Sequence, residues 1–217
     1  MILYRTINSS ASAEQIIEKS RFISYIKPVE SKEEADEFVA EIRAMHRQAT
    51  HNVPAYVIGD KMQIQWASDD GEPQGTSGAP IVQMLVKEGV TNVAVVVTRY
   101  FGGIKLGTGG LVRAYTSSAK LALNEAGICD VCDMTILDIK VDYSYLAKIQ
   151  NTAMQNQDSG DGVQFVITDT KYEDAVTLTV SVDPDDADSL KSMFSNYTSG
   201  TAVIVSEKTE LARKPVG

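Results

Sequence analysis

The run Val93-Ala94-Val95-Val96-Val97 constrains this chain most. Five consecutive apolar residues, mostly β-branched, fit a strand buried on both faces, because a half-exposed strand would alternate. Residues 98–115 follow as TRYFGGIKLGTGGLVRAY. Leu111, Ala114, Tyr115, Ser118 and Leu121 then recur at helical spacing. Strand therefore passes to helix through a loop holding Gly102, Gly103, Gly107, Gly109 and Gly110. Glycine admits positive φ and close approach of another backbone or a ligand. Thr108 fits the N-cap, which would open the first free N–H groups of the helix onto the loop. Such a helix start favours anions, by about 0.3–1 kcal/mol per exposed charge.

Charge sharpens this expectation. The chain of 217 residues carries a formal charge of -9, yet residues 91–124 contain Arg99, Lys105, Arg113 and Lys120 and no acid. Acidity concentrates in residues 135–217, which hold 13 acids against 7 bases. An anion site therefore belongs to the first part of the chain, and the second part reads as a solvated or partner-facing module. The overall negative field disfavours indiscriminate binding of polyanions. No apolar run reaches the roughly 20 residues of a membrane helix. The N-terminus lacks the basic and apolar regions of a secretion signal. With Cys129 and Cys132 as the only cysteines, the chain reads as a cytoplasmic protein without a disulfide framework.

The remaining pattern gives two domains. In residues 1–134, a strand over 22–26 precedes a helix opened by the capping box Ser31 and Glu34. A hairpin over 55–66 leads into the acidic loop Ser68-Asp69-Asp70-Gly71-Glu72-Pro73-Gln74-Gly75-Thr76-Ser77-Gly78, then a helix with Pro80 in its first turn. After a hinge over 127–134, residues 135–217 read βαββαβ, the order of a ferredoxin-like domain, with a loose tail from Ala212.

Several constellations can carry chemistry. The glycine loop matches neither the P-loop nor a dinucleotide fingerprint, so its anion is not named by motif. Asp69, Asp70 and Glu72, together with His51, form a possible second loop of the site. Asp69 or Glu72 could hold magnesium, or these acids could face water and the positive end of a helix. A lone C-x-x-C with distant His46 and His51 makes a poor zinc set. No residue pairs as nucleophile and base in a known pattern, so no catalytic residue and no metal ligand is assigned. Tyr100 and Phe101 could stack on a base, although aromatics beside a buried strand usually pack in the core.

The stretches KSRFI at 19–23, the two histidines with Ala55-Tyr56, SDDGEPQGTSGAP at 68–80 and TNVAVVVTRYFGGIKLGTGGLVRAY at 91–115 resemble the IMPACT/YigZ family, over the whole chain. Departures are small: Arg47-Gln48-Ala49-Thr50 stands where members often carry Pro-Asp, and Val53-Pro54 where many have Cys and an aromatic. The resemblance implies an α+β protein. Its N-terminal domain would be like domain four of elongation factor G, a ribosomal-protein-like βαβ fold. Its C-terminal domain would be ferredoxin-like, as domain five of that factor. The pairing implies contact with RNA or the ribosome and a part in regulating translation, by analogy of fold. No established reaction comes with the family. Eukaryotic relatives add an N-terminal protein-binding domain for which this chain starts too late, so their partner is not carried over.

The reading is therefore a cytoplasmic binding protein that contacts RNA or the translation machinery. Arg99, Lys105 and Arg113 would meet phosphate, and Gly102, Gly103, Gly107, Thr108, Gly109 and Gly110 would allow close approach. No cofactor is expected. The alternative is an enzyme on a small phosphorylated substrate, with magnesium held by the acids. A third option is an adaptor that binds a protein through the acidic C-terminal domain.

Overall fold

The computed structural model describes residues 2–216, apart from the side chains of residues 157, 158 and 215. In chain order the elements are β1 (Ile2–Ile7), β2 (Ala11–Ile17), β3 (Ser20–Pro28), α1 (Lys32–Met45), β4 (His51–Ile58), β5 (Ile64–Ala67), α2 (Gly78–Lys87), β6 (Val93–Tyr100), α3 (Gly107–Ala126) and β7 (Ile128–Val141). There follow α4 (Tyr143–Ser159), β8 (Phe165–Tyr172), β9 (Val176–Val182), α5 (Ala187–Tyr197) and β10 (Val203–Pro215). The protein is a mixed α+β chain that divides into two compact units, residues 2–131 with 213–216, and residues 132–212.

In the first unit, β2-β3-β6-β4-β5 form one sheet in which every neighbouring pair is antiparallel. The hydrophobic run takes its centre. Val93, Val95 and Val97 join a core built with α2 and α3, while Ala94 and Val96 join another beneath α1. Helices cover both faces, so β6 is buried on both sides, as its composition requires. An antiparallel strand reads as a continuous apolar run here because it is sandwiched, not because the sheet is parallel.

Local signals account for several element ends. Ser31 Oγ accepts the Glu34 N–H at 3.2 Å, but the Glu34 carboxylate reaches the Glu30 N–H, so only half of the expected box forms. The β2–β3 hairpin turns on Glu18 and Lys19, both at positive φ (45° and 63°), as a two-residue turn of this hand requires. Helix α3 starts one residue before Thr108, with Leu106 at the N-cap and no side-chain cap. The expected Thr108 cap is thus corrected: Thr108 lies inside the first turn and is exposed.

The second unit keeps the order βαββαβ, with β10 on one side of β7 and β9 then β8 on the other. Its core gathers Leu137, Ile139, Phe165, Leu178, Leu190 and Phe194. Asp183 caps the turn at Pro184–Asp186 that leads into α5. Two expectations change. Residues 128–134, expected as a linking stretch without regular structure, are the first half of the long strand β7, to which β1 also pairs. The tail is not loose through residue 216: β10 runs to Pro215, and the Val216 N–H donates to the Ile128 carbonyl at 2.9 Å.

Candidate functional site

The acidic loop turns inward. Asp70 (φ 47°) and Gly71 (φ 89°) form the centre of a tight turn closed by the Glu72 N–H on the Asp69 carbonyl at 2.9 Å. Asp-Gly is the pair that such a turn favours, because both positions need positive φ. The turn sends the three acids in three directions.

Asp69 spends its carboxylate on the start of α2. It accepts the N–H groups of Gly75, Ser77 and Gly78 and the Ser77 hydroxyl, at 2.7–3.1 Å. Burial alone would raise its pKa, but these donors together hold it below the usual carboxylate value. Asp70 accepts from Arg43 Nη2 at 2.9 Å and from the Asn52 N–H at 2.7 Å.

Glu72 enters the protein. It is 8% exposed, and its Oε1 accepts Arg99 Nη1 at 2.6 Å and the Tyr115 hydroxyl at 2.7 Å. Burial, followed by the bond to Glu72, pushes the Tyr115 phenol far above its ordinary value, so it stays a donor. His51 Nδ1 donates to the Asp70 carbonyl at 2.8 Å, since a carbonyl can only accept, and this leaves Nε2 3.7 Å from Glu72 Oε1.

Arg99 is the residue whose expected role changes most. It is 4% exposed and lies between the rings of Phe22 and Phe101, with its guanidinium carbon 5.4 Å from each centroid. Nη2 donates to Ser20 Oγ at 3.3 Å, which also accepts the Gly102 N–H at 3.2 Å. Its charge is thus committed to Glu72, and it supports the loop from below rather than meeting solvent. The acid and basic loops are tied together through this pair: one partner sits in the first loop, the other at the end of the strand that enters the second.

The outer face of the glycine loop keeps the two other bases. Lys105 and Arg113 are exposed, and among the described residues neither forms a salt bridge. Both line a cavity of about 500 Å³ together with Glu18, Ile104, Gly110 and Ser117. Lys120, by contrast, pairs with Glu88 at 2.7 Å. Of the glycines, Gly102 has the clearest steric reason: a Cβ there would overlap the carbonyl of Lys19 in the β2–β3 turn. Gly103 and Gly107 are at positive φ (88° and 70°) with open space around them. Gly109 and Gly110 lie in the first turn of α3.

Among the described residues no group of three or more His, Cys, Asp or Glu gathers at metal-binding geometry, and Asp69 and Glu72 are already engaged as described. Nor is any helix of the described residues long and apolar enough to cross a membrane. Sequence reasoning missed Tyr115 and Ser20 as members of the buried network. Tyr115 gave only a core signal, its helical spacing. Phe101, weighed as a core residue, is exposed.

Residues 18–123 match the family described as Impact N-terminal domain, and residues 139–201 match a domain of unknown function (DUF1949). The IMPACT family member YvyE of Bacillus subtilis is 39% identical over 201 residues, covering 93% of this chain and 89% of that protein. The IMPACT family member YigZ of Escherichia coli is 40% identical over 136 residues, 62% of this chain and 67% of that protein. A solved structure titled as the crystal structure of a hypothetical protein superposes with a TM-score of 0.58 at 30% identity, covering 94% of this chain and 97% of its own. With both units matched and the identity to YvyE sustained along nearly the whole length of each protein, the chain belongs to the IMPACT family.

Proposed function

We propose that this protein is a cytoplasmic binding protein that contacts RNA of the translation machinery through Lys105 and Arg113, and so takes part in regulating translation. One observation carries the reading. Two exposed cations that form no salt bridge among the described residues share a cavity beside the uncapped N-terminus of α3, in a protein of net charge -9. Unpaired cations on an acidic surface suit one defined docking point for a phosphate chain, since the rest of the surface repels it. Arg99 has a positioning role: with Glu72 it fixes the end of β6 and hence the loop.

The fold supports the same reading. In the second unit the strand order β10-β7-β9-β8, with βαββαβ connectivity, supports a ferredoxin-like domain like domain five of elongation factor G. The first unit then takes the place of that factor's domain four, and the analogy is one of fold. Both cysteines are free, in keeping with a reducing compartment.

The test is a titration of single-stranded RNA by fluorescence anisotropy at two salt concentrations. Lys105→Ala and Arg113→Ala should each weaken binding across sequences and flatten the log–log salt slope by about 0.7. Unchanged affinity in the double variant, or no binding by the wild type, overturns the reading.

A further inference from the structure

Phe101 is an aromatic ring held in water. It follows β6 directly, opens the glycine loop and is 46% exposed. Its backbone is fixed on both sides: the Phe101 N–H donates to Thr50 Oγ1 at 3.0 Å, and the next N–H, of Gly102, donates to Ser20 Oγ. The ring rests on the Arg99 guanidinium, which Glu72 anchors in turn. Among the described residues it is stacked on no other ring, whereas exposed Trp66 lies on Tyr56, and exposed Tyr143 and Tyr172 lie on each other. Phe101 is also the exposed aromatic of the acid-free segment 91–124, four residues from Lys105.

The Phe101 ring is thus an exposed surface whose backbone and underside are both held in place, beside a loop that carries cations. Its fixed geometry means that little conformational entropy is lost when a flat partner lands on it. A nucleobase is such a partner, because every base has a π-face and stacking on aromatic side chains tolerates any sequence. Bases inside a duplex are stacked on one another and offer no face. Unpaired bases do.

Building on the reading above, we infer that Phe101 is a stacking platform for an unpaired nucleobase, with Lys105 and Arg113 on the adjoining phosphates, so that the RNA recognised is single-stranded.

The full chain is titrated with a labelled ten-nucleotide oligoadenylate and with a ten-base-pair RNA duplex, for wild type, Phe101→Ala, Phe101→Leu and Phe101→Trp. Leucine keeps apolar bulk over Arg99 but has no π-face. Circular dichroism and melting confirm that each variant is folded. The wild type should prefer the single strand. Alanine and leucine should each lose about 5- to 150-fold on the single strand and little on the duplex, with the salt slope unchanged. Tryptophan should restore binding. Equal binding of strand and duplex, or wild-type affinity in the alanine and leucine variants, overturns the platform while the basic-loop reading stands if the Lys105 and Arg113 variants still weaken binding. Wild-type protein that binds neither RNA overturns both.

Discussion

Arg99 Nη1 lies 2.6 Å from Glu72 Oε1, and the two residues meet inside the protein although 27 positions separate them. A buried pair of this kind is held by mutual need: the partner left behind keeps a charge that water no longer reaches. Arg99→Met should therefore lower the stability measured by urea unfolding by about 3–5 kcal/mol. The double variant Arg99→Met/Glu72→Met should recover part of that loss. A single-variant cost below about 1 kcal/mol, the range of surface pairs, would mean the charge is not committed as the geometry indicates.

Gly102 and Gly103 are adjacent but constrained for different reasons. A methyl group on Gly102 meets the Lys19 carbonyl and the neighbouring main chain, which cannot swing aside as a long side chain could. Gly102→Ala should cost about 3 kcal/mol, the upper end of overpacking, by pushing the β2–β3 turn away. Gly103 has open space and only its φ of 88° to maintain, so Gly103→Ala should cost about 1–2 kcal/mol. Thermal melts of the two variants give the comparison, and a Gly103 variant as unstable as the Gly102 variant would refute it.

Asp69 makes the stability depend on pH at the acid end. Its folded pKa is held below the ordinary value of 3.8 by the donors at the start of α2, against the upward push of burial. A depressed carboxylate contributes stability that is fully present above the unfolded pKa and is lost as pH falls through the folded one. Asp69→Asn keeps an acceptor oxygen but not the charge. The melting temperatures of wild type and variant should differ by a constant amount from pH 7 to about 5 and converge below about 3.8. A gap that persists unchanged to pH 3 would show that the charge contributes nothing.

Much of the first unit was legible because burial imposes composition. Val93 to Val97 could only be a covered strand, and the helix after it was marked by Leu111, Ala114 and Tyr115. Strand β2 left little trace: Ala11-Ser12-Ala13-Glu14 has low β propensity and sits at the sheet edge, half exposed. The extent of β10 was hidden for a related reason. Residues 206–214 are mostly polar and exposed, and they are held by main-chain pairing with β7, which places almost no demand on side chains.

The site was legible in its parts and not in its pairings. Asp70-Gly71 announced a tight turn, yet nothing local told that the turn would drive Glu72 inward toward a base on β6. Arg99 was counted with Lys105 and Arg113 because sequence shows the sign of a charge and not its partner. The Thr108 cap failed because the N-cap falls two residues earlier, at Leu106, where no side chain bonds to the helix start.

The central position of β6 also sets an order of assembly. It pairs with β3 across 65 to 79 residues and with β4 across 36 to 48, while β2–β3 and β4–β5 are local hairpins whose partners leave the ribosome almost together. Those hairpins must wait, each with an inner edge open to stray pairing, until translation has passed Tyr100. Closing the sheet is then a long-range step, the kind that slows folding most. A pause in synthesis before residue 93 would thus lengthen the interval in which nascent chains can join one another instead of themselves.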